Sequence, residues 1–214
     1  MIRTQFLSEL ERLKQEIFHL GKDVEKTFTR TAEAMSDYQT GVLHEIIEAD
    51  ENINEQELNI NEEATLMIAK QQPVASDLRH IIVCLKVSSD LERMGDLSVD
   101  MAKAFLHMPS HDAFKHYKDE LAVFEEKVRY MITHVMAAYD ELNVLKAQQI
   151  AALDDEVDEA YGAFVKELFR SDFTADQIAQ LAFIARYMER IGDYCTNIAE
   201  WIIYEVNGKR FDLN

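Results

Sequence analysis

The sequence has very few of the residues that interrupt helices. Its 214 residues include only 6 glycines and 2 prolines, too few for the many tight turns of a β-rich protein. Leucine, alanine, glutamate and other good helix formers are abundant, and they favour long helices. We therefore predict an all-α protein.

Cysteines, basic clusters and long apolar runs are also scarce. Cys84 and Cys195 lie in helix-like segments without metal-type spacing, and we interpret them as reduced packing residues. The net charge of −18, without a basic cluster, argues against nucleic acid as a partner. No apolar run approaches the ~18 residues of a membrane span, and no signal peptide is evident. We expect a soluble, cytoplasmic protein without membrane insertion.

Apolar residues recur at steps of three and four along six segments, which is the pattern of amphipathic helices. Thr174 and Gln177 have the spacing of a capping box, and Gly208 follows the last segment. Helices of this length would form a bundle about 50 Å long. The predicted helices cover residues 6–35, 42–71, 74–107, 117–142, 143–170 and 175–207.

The two halves of the chain repeat each other. The segment LERMGD at 91–96 returns as MERIGD at 188–193, and a weaker match relates ADENINE at 49–55 to LDDEVDE at 153–159. Three helices in each half can bury their apolar stripes against one another. We predict two tandem antiparallel three-helix bundles, with repeats at 1–109 and 110–214.

Pairs of carboxylates mark the second repeat. Glu189 and Asp193 are four residues apart and share a helix face, as do Asp154 and Asp158 on the preceding helix. If the two helices are antiparallel, the four carboxylates converge, and their repulsion favours protonation or a bound cation. Oxygen ligands suit Mg²⁺, Mn²⁺ or Fe³⁺, and Zn²⁺ also accepts them. A solvated acidic face without metal explains the same spacing.

The first repeat has a similar but incomplete set. Glu92 and Asp96 match the later pair, and Asp50 matches the first aspartate of the preceding helix. Asn54 replaces the second aspartate, so we expect a weaker or differently composed site that Asp100 supplements.

Each acidic hexapeptide also contains a glycine and an arginine. Gly95 and Gly192 cost roughly 1 kcal/mol each relative to alanine inside a helix. This cost suggests that some group approaches the backbone closely at each glycine. A kink in the helix or a tight contact with a neighbouring helix explains the glycines equally well. We interpret Arg93 and Arg190 as balancing the nearby charge.

These segments resemble the PhoU family of bacterial phosphate-uptake regulators. The resemblance rests on both hexapeptides, on PVASDLRHI at 73–81 and on DYCTNIAEWIIYEVNGK at 193–209. It implies two three-helix bundles with surface metal clusters, of iron or zinc by preference and of magnesium or manganese as alternatives. The residues that match the family's metal motifs, together with those placed beside them above, are Asp50, Glu92, Asp96, Asp100, Asp154, Asp158, Glu189 and Asp193.

The same resemblance implies a function. Members of this family are cytoplasmic, often dimeric, and negatively regulate the phosphate regulon. They are thought to connect the phosphate ABC transporter, through its ATPase subunit, to a membrane histidine kinase that senses phosphate supply. We expect the same partners and a homodimer here.

Two other readings compete with a metal-binding regulator. A di-iron enzyme would need two Glu-x-x-His motifs on facing helices, and only Glu16 and His19 have that spacing. His107, His111 and His116 surround the boundary between the halves, and we interpret them as part of a bundle junction. The second reading is a helical adaptor without metal. Because no nucleophile, base or phosphate-binding glycine loop is evident, we predict no enzymatic activity.

Overall fold

A computed structural model describes residues 2–210 and 213 of the chain, and in this part the secondary structure is entirely helical. The prediction of an all-α protein is confirmed. None of the helices in these residues combines the length and apolarity needed to cross a bilayer. The helices are α1 (Ile2–Ser36), α2 (Thr40–Glu48), α3 (Glu51–Gln71), α4 (Ser76–His107), α5 (Asp112–His116), α6 (Lys118–Glu141), α7 (Val144–Ala151), α8 (Asp154–Leu168) and α9 (Ala175–Asn207).

The helices form two bundles of the same design. In the first, α1, α4 and the α2–α3 pair pack against one another, and in the second α6, α9 and the α7–α8 pair do so. The short helix α5 lies in the connection between them. The capping box of Thr174 and Gln177 starts α9, and Gly208 ends it in the left-handed conformation at φ 70°, as predicted.

The apolar seams predicted for the first helix of each bundle face the core. They bury almost all of their side-chain surface, which supplies most of the hydrophobic stabilisation of such a fold. On α1 the seam consists of Phe6, Leu10, Leu13, Ile17, Leu20, Val24, Phe28 and Met35. On α6 it consists of Leu121, Phe124, Val128, Met131, Val135 and Ala138.

Two of the six predicted helices are each interrupted. The predicted helix 42–71 is α2 and α3, which meet at Ala49 and Asp50, and the predicted helix 143–170 is α7 and α8, which meet at Ala152 and Leu153. Neither interruption contains proline or glycine, so the sequence pattern did not reveal them. They place Asp50 and Asp154 at the beginning of a helix, where free N–H groups favour negative charge.

The two bundles meet mainly along α4 and α9, the longest contact between helices in the described residues. These helices are antiparallel. The indole Nε1 of Trp201 donates to Asp90 Oδ2 at 3.1 Å, and His80 Nδ1, on an earlier turn of α4, lies 2.7 Å from Glu205 Oε1, on a later turn of α9. The two repeats therefore face each other through their last helices.

The glycines of the hexapeptides lie at close helix contacts. A Cβ on Gly95 would be 3.0 Å from Ile53 Cδ1, and a Cβ on Gly192 would be 3.2 Å from Val157 Cγ1. Both distances are tighter than ordinary packing, so the glycines let α3 approach α4 and α8 approach α9. Ile53 and Val157 occupy matching positions in 49–55 and 153–159, so the contacts support the weaker repeat match.

Candidate metal centre

The acidic residues of the second repeat converge between α8 and α9. Asp158 projects from the second turn of α8, and Glu189 and Asp193 project from successive turns of α9. One carboxylate oxygen from each of the three lies within 4.8 Å of the other two. Two Mg–O or Zn–O bonds of about 2 Å span at most about 4 Å, so a shared cation would draw the three oxygens slightly closer together than this limit.

Asp154 forms the inner wall of this cluster. Its side chain is only 7% exposed, and its Oδ1 atom has no hydrogen-bond partner among the described residues. That oxygen would lie 3.5 Å from a Cβ on Gly192, so it sits directly against the backbone of α9. The glycine thus brings the start of α8 close to the acidic turn of α9.

Burial and mutual repulsion disfavour the ionised form of this cluster. Burial, and next the charge of Asp193, raise the pKa of Glu189 to about 7. Burial and the charges of Asp193 and Asp158 raise the pKa of Asp154 to about 6. The pKa of Asp193 is also raised, mainly by burial and then by Asp158. The carboxylates therefore lack sufficient positive charge around them at neutral pH.

Arg186 pairs directly with the second-repeat cluster. Burial has the larger effect and raises the pKa of Asp193, whereas the charges of Arg186 and Arg190 both act to lower it. Arg186 forms an ion pair with Glu189 Oε1 and lies over the ring of Tyr161, 5.7 Å from its centroid. The other oxygen, Oε2 of Glu189, is buried without a partner in the described part of the chain. A buried polar atom without a partner costs about 1–3 kcal/mol, and more if charged. Glu189 Oε2 and Asp154 Oδ1 are both buried oxygens of this kind, and such a pair fits a site for a hard cation.

The first repeat arranges its acidic residues differently. Asp50 lies near Asp96 and Asp100, and burial, then Asp96, raise its pKa. Burial and the charge of Asp96 also raise the pKa of Glu92. Among the described residues, the second repeat brings three ligand atoms within 4.8 Å of one another, and the first repeat does not. Asn54 is exposed.

Sequence reasoning missed two neighbours of these clusters. Arg186 precedes Glu189 by three residues, a helical spacing that could have revealed the ion pair. Lys103 donates to Asp100 Oδ1 at 3.0 Å, again at a spacing of three. The pKa of Lys103 is raised mainly by this hydrogen bond. The spacing of three residues could have predicted both ion pairs. It could not have predicted that the two side chains point towards the acidic clusters, because this depends on helix packing.

The histidines lie outside the acidic cluster. The ring of His111 stacks on Phe105 with centroids 4.2 Å apart, and His116 packs edge-on against Tyr117 at 4.7 Å. These contacts form an aromatic junction between the bundles. Cys84 and Cys195 are free and buried, which agrees with their interpretation as packing residues.

Comparison with known proteins agrees with this architecture. The sequence model described as the PhoU domain matches residues 17–105 and 121–202. A protein of Clostridium acetobutylicum named phosphate-specific transport system accessory protein PhoU homolog is 36% identical and covers 100% of both chains. The PhoU accessory protein of Escherichia coli is 32% identical over 98% of this chain and 88% of its own.

Two solved structures have the same fold. The crystal structure of the phosphate transport system regulatory protein PhoU from Streptococcus pneumoniae superimposes with a TM-score of 0.91 at 28% identity, over 97% of this chain and 99% of that one. PhoU from Pseudomonas aeruginosa gives a TM-score of 0.86 at 30% identity, over 95% and 100%. These relatives are named as accessory or regulatory proteins of phosphate transport. The chain belongs to the PhoU family of phosphate transport system accessory and regulatory proteins.

Proposed function

We propose that this chain is a cytoplasmic, metal-binding negative regulator of phosphate uptake. Family membership supports the assignment to phosphate transport, because the relatives are named accessory proteins of the phosphate-specific transport system. The observation that carries the metal-binding part is the convergence of Asp158, Glu189 and Asp193 between α8 and α9, beside the buried, partnerless oxygens Glu189 Oε2 and Asp154 Oδ1. Metal in this regulator would therefore have a structural role.

Asp154, Asp158, Glu189 and Asp193 are the proposed ligands. Oxygen donors alone suit Mg²⁺, Mn²⁺ or Fe³⁺, and the family resemblance favours iron or zinc. A bound cation would neutralise these carboxylates and link the start of α8 to the middle of α9. The chain's own residues then hold this face of the second bundle in one conformation.

The proposed partners are the ATPase subunit of the phosphate ABC transporter and a phosphate-sensing histidine kinase, with the chain acting as a homodimer. The net charge of −18 disfavours nucleic acid as a partner, since phosphate backbones are recognised by clustered basic residues. We further propose that the functional units coincide with the two repeats, 1–109 and 110–214, joined at the aromatic junction.

Metal content tests the proposed centre directly. Purified, untagged protein reconstituted with Mn²⁺, Fe or Zn²⁺ and then desalted should retain metal, and the variant Glu189→Gln with Asp193→Asn should lose most of it. The matched control is Asp155→Asn with Glu159→Gln, which removes two exposed charges at the same spacing on α8. Elemental analysis provides the measurement. Equal metal in all three proteins would reject the centre and favour the adaptor without metal.

Regulation is tested in a strain that lacks the gene. Such a strain should produce phosphate-starvation enzymes in phosphate-rich medium, and the wild-type gene should restore repression. The Glu189→Gln, Asp193→Asn variant should restore it less well than the Asp155→Asn, Glu159→Gln control at equal protein levels. Starvation-enzyme activity that does not change on deletion would contradict the proposed regulatory role.

A further inference from the structure

The acidic sets of the two repeats share three matching positions but have different cations around them. In the first repeat the chain supplies its own. Arg93 Nη1 donates to Asp96 Oδ2 at 3.2 Å, and Arg93 Nε lies 3.5 Å from Glu92 Oε2. Further along α4, Lys103 Nζ donates to Asp100 Oδ1 at 3.0 Å. Three of the four carboxylates are thus directly paired with a cation.

The fourth carboxylate of the first repeat, Asp50, forms no ion pair in the described residues, and its buried Oδ1 has no hydrogen-bond partner there, as is also true of Asp154 Oδ1. In the second repeat Arg186 pairs with Glu189, and Asp193 lies within range of the charges of Arg186 and Arg190 without pairing with either. The other three acidic residues form no ion pair within the described part of the chain. They are Asp154, Asp158 and Asp193.

One side chain explains why the equivalent arginines behave differently. Arg190 holds the position in the second hexapeptide that Arg93 holds in the first. Its Nη2 donates to the hydroxyl of Tyr194 at 3.2 Å, and its guanidinium lies 5.8 Å from the centre of that ring. Leu97 occupies the matching position in the first repeat and offers no acceptor. Arg93 therefore turns onto Glu92 and Asp96.

The lysine is also specific to the first repeat. At the position that matches Lys103, the second repeat has Glu200, and at the position that matches Asp100 it has Asn197. Glu200 is buried and accepts a hydrogen bond from the backbone N–H of Leu213 at 2.8 Å, so it contacts the C-terminal segment and not the acidic set. The second repeat has no counterpart of the Lys103–Asp100 pair.

We propose that Arg93 and Lys103 are built-in counter-cations that close the first acidic set to metal ions, so that the chain carries a single metal site. Tyr194 keeps the second set open by holding Arg190 aside. This inference rests on the proposed metal site of the second repeat. It assigns the difference in metal binding between the repeats to Arg93, Lys103 and Tyr194, in addition to Asn54, which stands where the second repeat has the proposed ligand Asp158.

Mn²⁺ binding to metal-free, full-length protein tests the proposal. In a background with the second site disabled, Glu189→Gln with Asp193→Asn, we expect no Mn²⁺ to be retained after desalting. Adding Arg93→Gln and Lys103→Gln should create one bound Mn²⁺ per chain, and a further Asp50→Asn should remove it. The control is Arg12→Gln with Lys22→Gln, which removes two exposed cations from ion pairs on α1, one of which also links α1 to Glu63 on α3, and it should create none.

Two results would overturn this proposal. One is Mn²⁺ retained by the disabled background while Arg93 and Lys103 are intact. The other is no gain of Mn²⁺ when both are replaced in protein that circular dichroism shows to be folded. Neither result depends on the second site, whereas wild-type protein without metal would overturn the proposed function instead.

A milder variant tests the role of Tyr194. Tyr194→Phe keeps the aromatic ring and removes the hydroxyl that accepts from Arg190. In otherwise wild-type protein it should weaken Mn²⁺ binding several-fold in calorimetric titration, and an added Arg190→Gln should restore it. Unchanged Mn²⁺ affinity in Tyr194→Phe would overturn the part assigned to Tyr194.

Discussion

Replacing Lys14 with methionine is expected to lower the free energy of unfolding by about 3 kcal/mol. Lys14 on α1 lies 2.5 Å from Oε1 of Glu205 on α9, and the Glu205 side chain has no exposed surface. His80 on α4 approaches the same oxygen. Removal of the ammonium leaves this buried carboxylate oxygen with only the His80 ring beside it, so the loss is large. Urea unfolding followed by circular dichroism measures it.

A double-mutant cycle separates this loss from general effects of the substitution. Combining Lys14→Met with Glu205→Met removes the buried charge as well, so the double variant should recover much of the stability. Lys22→Met is the matched control, because Lys22 pairs with Glu25 at an exposed site and such pairs contribute only about 0.2–1 kcal/mol. Equal losses for Lys14→Met and Lys22→Met would contradict the importance of the buried pair.

Metal-free protein is expected to be more stable at pH 5 than at pH 8, by about 3 kcal/mol. Glu189 and Asp154 have pKa values of about 7 and about 6 in the folded protein, above their ordinary values of 4.5 and 3.8. The folded state therefore keeps these protons after the unfolded state has lost them. Stability is greatest at low pH and falls as pH rises through the folded pKa values. Urea unfolding at several pH values measures the slope.

Two controls assign this pH dependence to the acidic cluster. Glu189→Gln should flatten the slope and raise stability at pH 8, since the amide needs no proton to be neutral. Asp90 must be separated by its own variant, Asp90→Asn, because burial raises the pKa of that carboxyl to about 6 as well. Metal added at pH 8 should restore stability in wild-type protein but not in Glu189→Gln. A slope that Glu189→Gln leaves unchanged would contradict the assignment.

The long helices could be predicted because their apolar periodicity, caps and flanking residues agree with one another. Thr174, Gln177 and Gly208 marked the ends of α9, and the seams of α1 and α6 identified the core. The interruptions before Asp50 and Asp154 could not be predicted. They lie about one turn before Ile53 and Val157, which pack against the glycines of α4 and α9, and no local residue type marks them.

The candidate site was predictable only in part. The spacing of four residues placed Glu189 beside Asp193 and Asp154 beside Asp158, and the antiparallel arrangement suggested that the pairs meet. The cations were harder to predict. Arg93 and Arg190 hold the same position in the two hexapeptides, yet their directions differ because Leu97 and Tyr194 differ. Such a difference depends on side-chain conformation in the packed protein.

The antiparallel contact of α4 with α9 gives the molecule the geometry of a two-fold dimer contained in one polypeptide. In a homodimer, symmetry forces both copies of a surface to carry the same residues. Fusion into one chain keeps the halves together at high effective concentration and lifts that restriction. Each half can then acquire substitutions that the other does not share, such as Lys103 in one and Glu200 in the other. The covalent link is thus what permits two related halves to take up separate tasks.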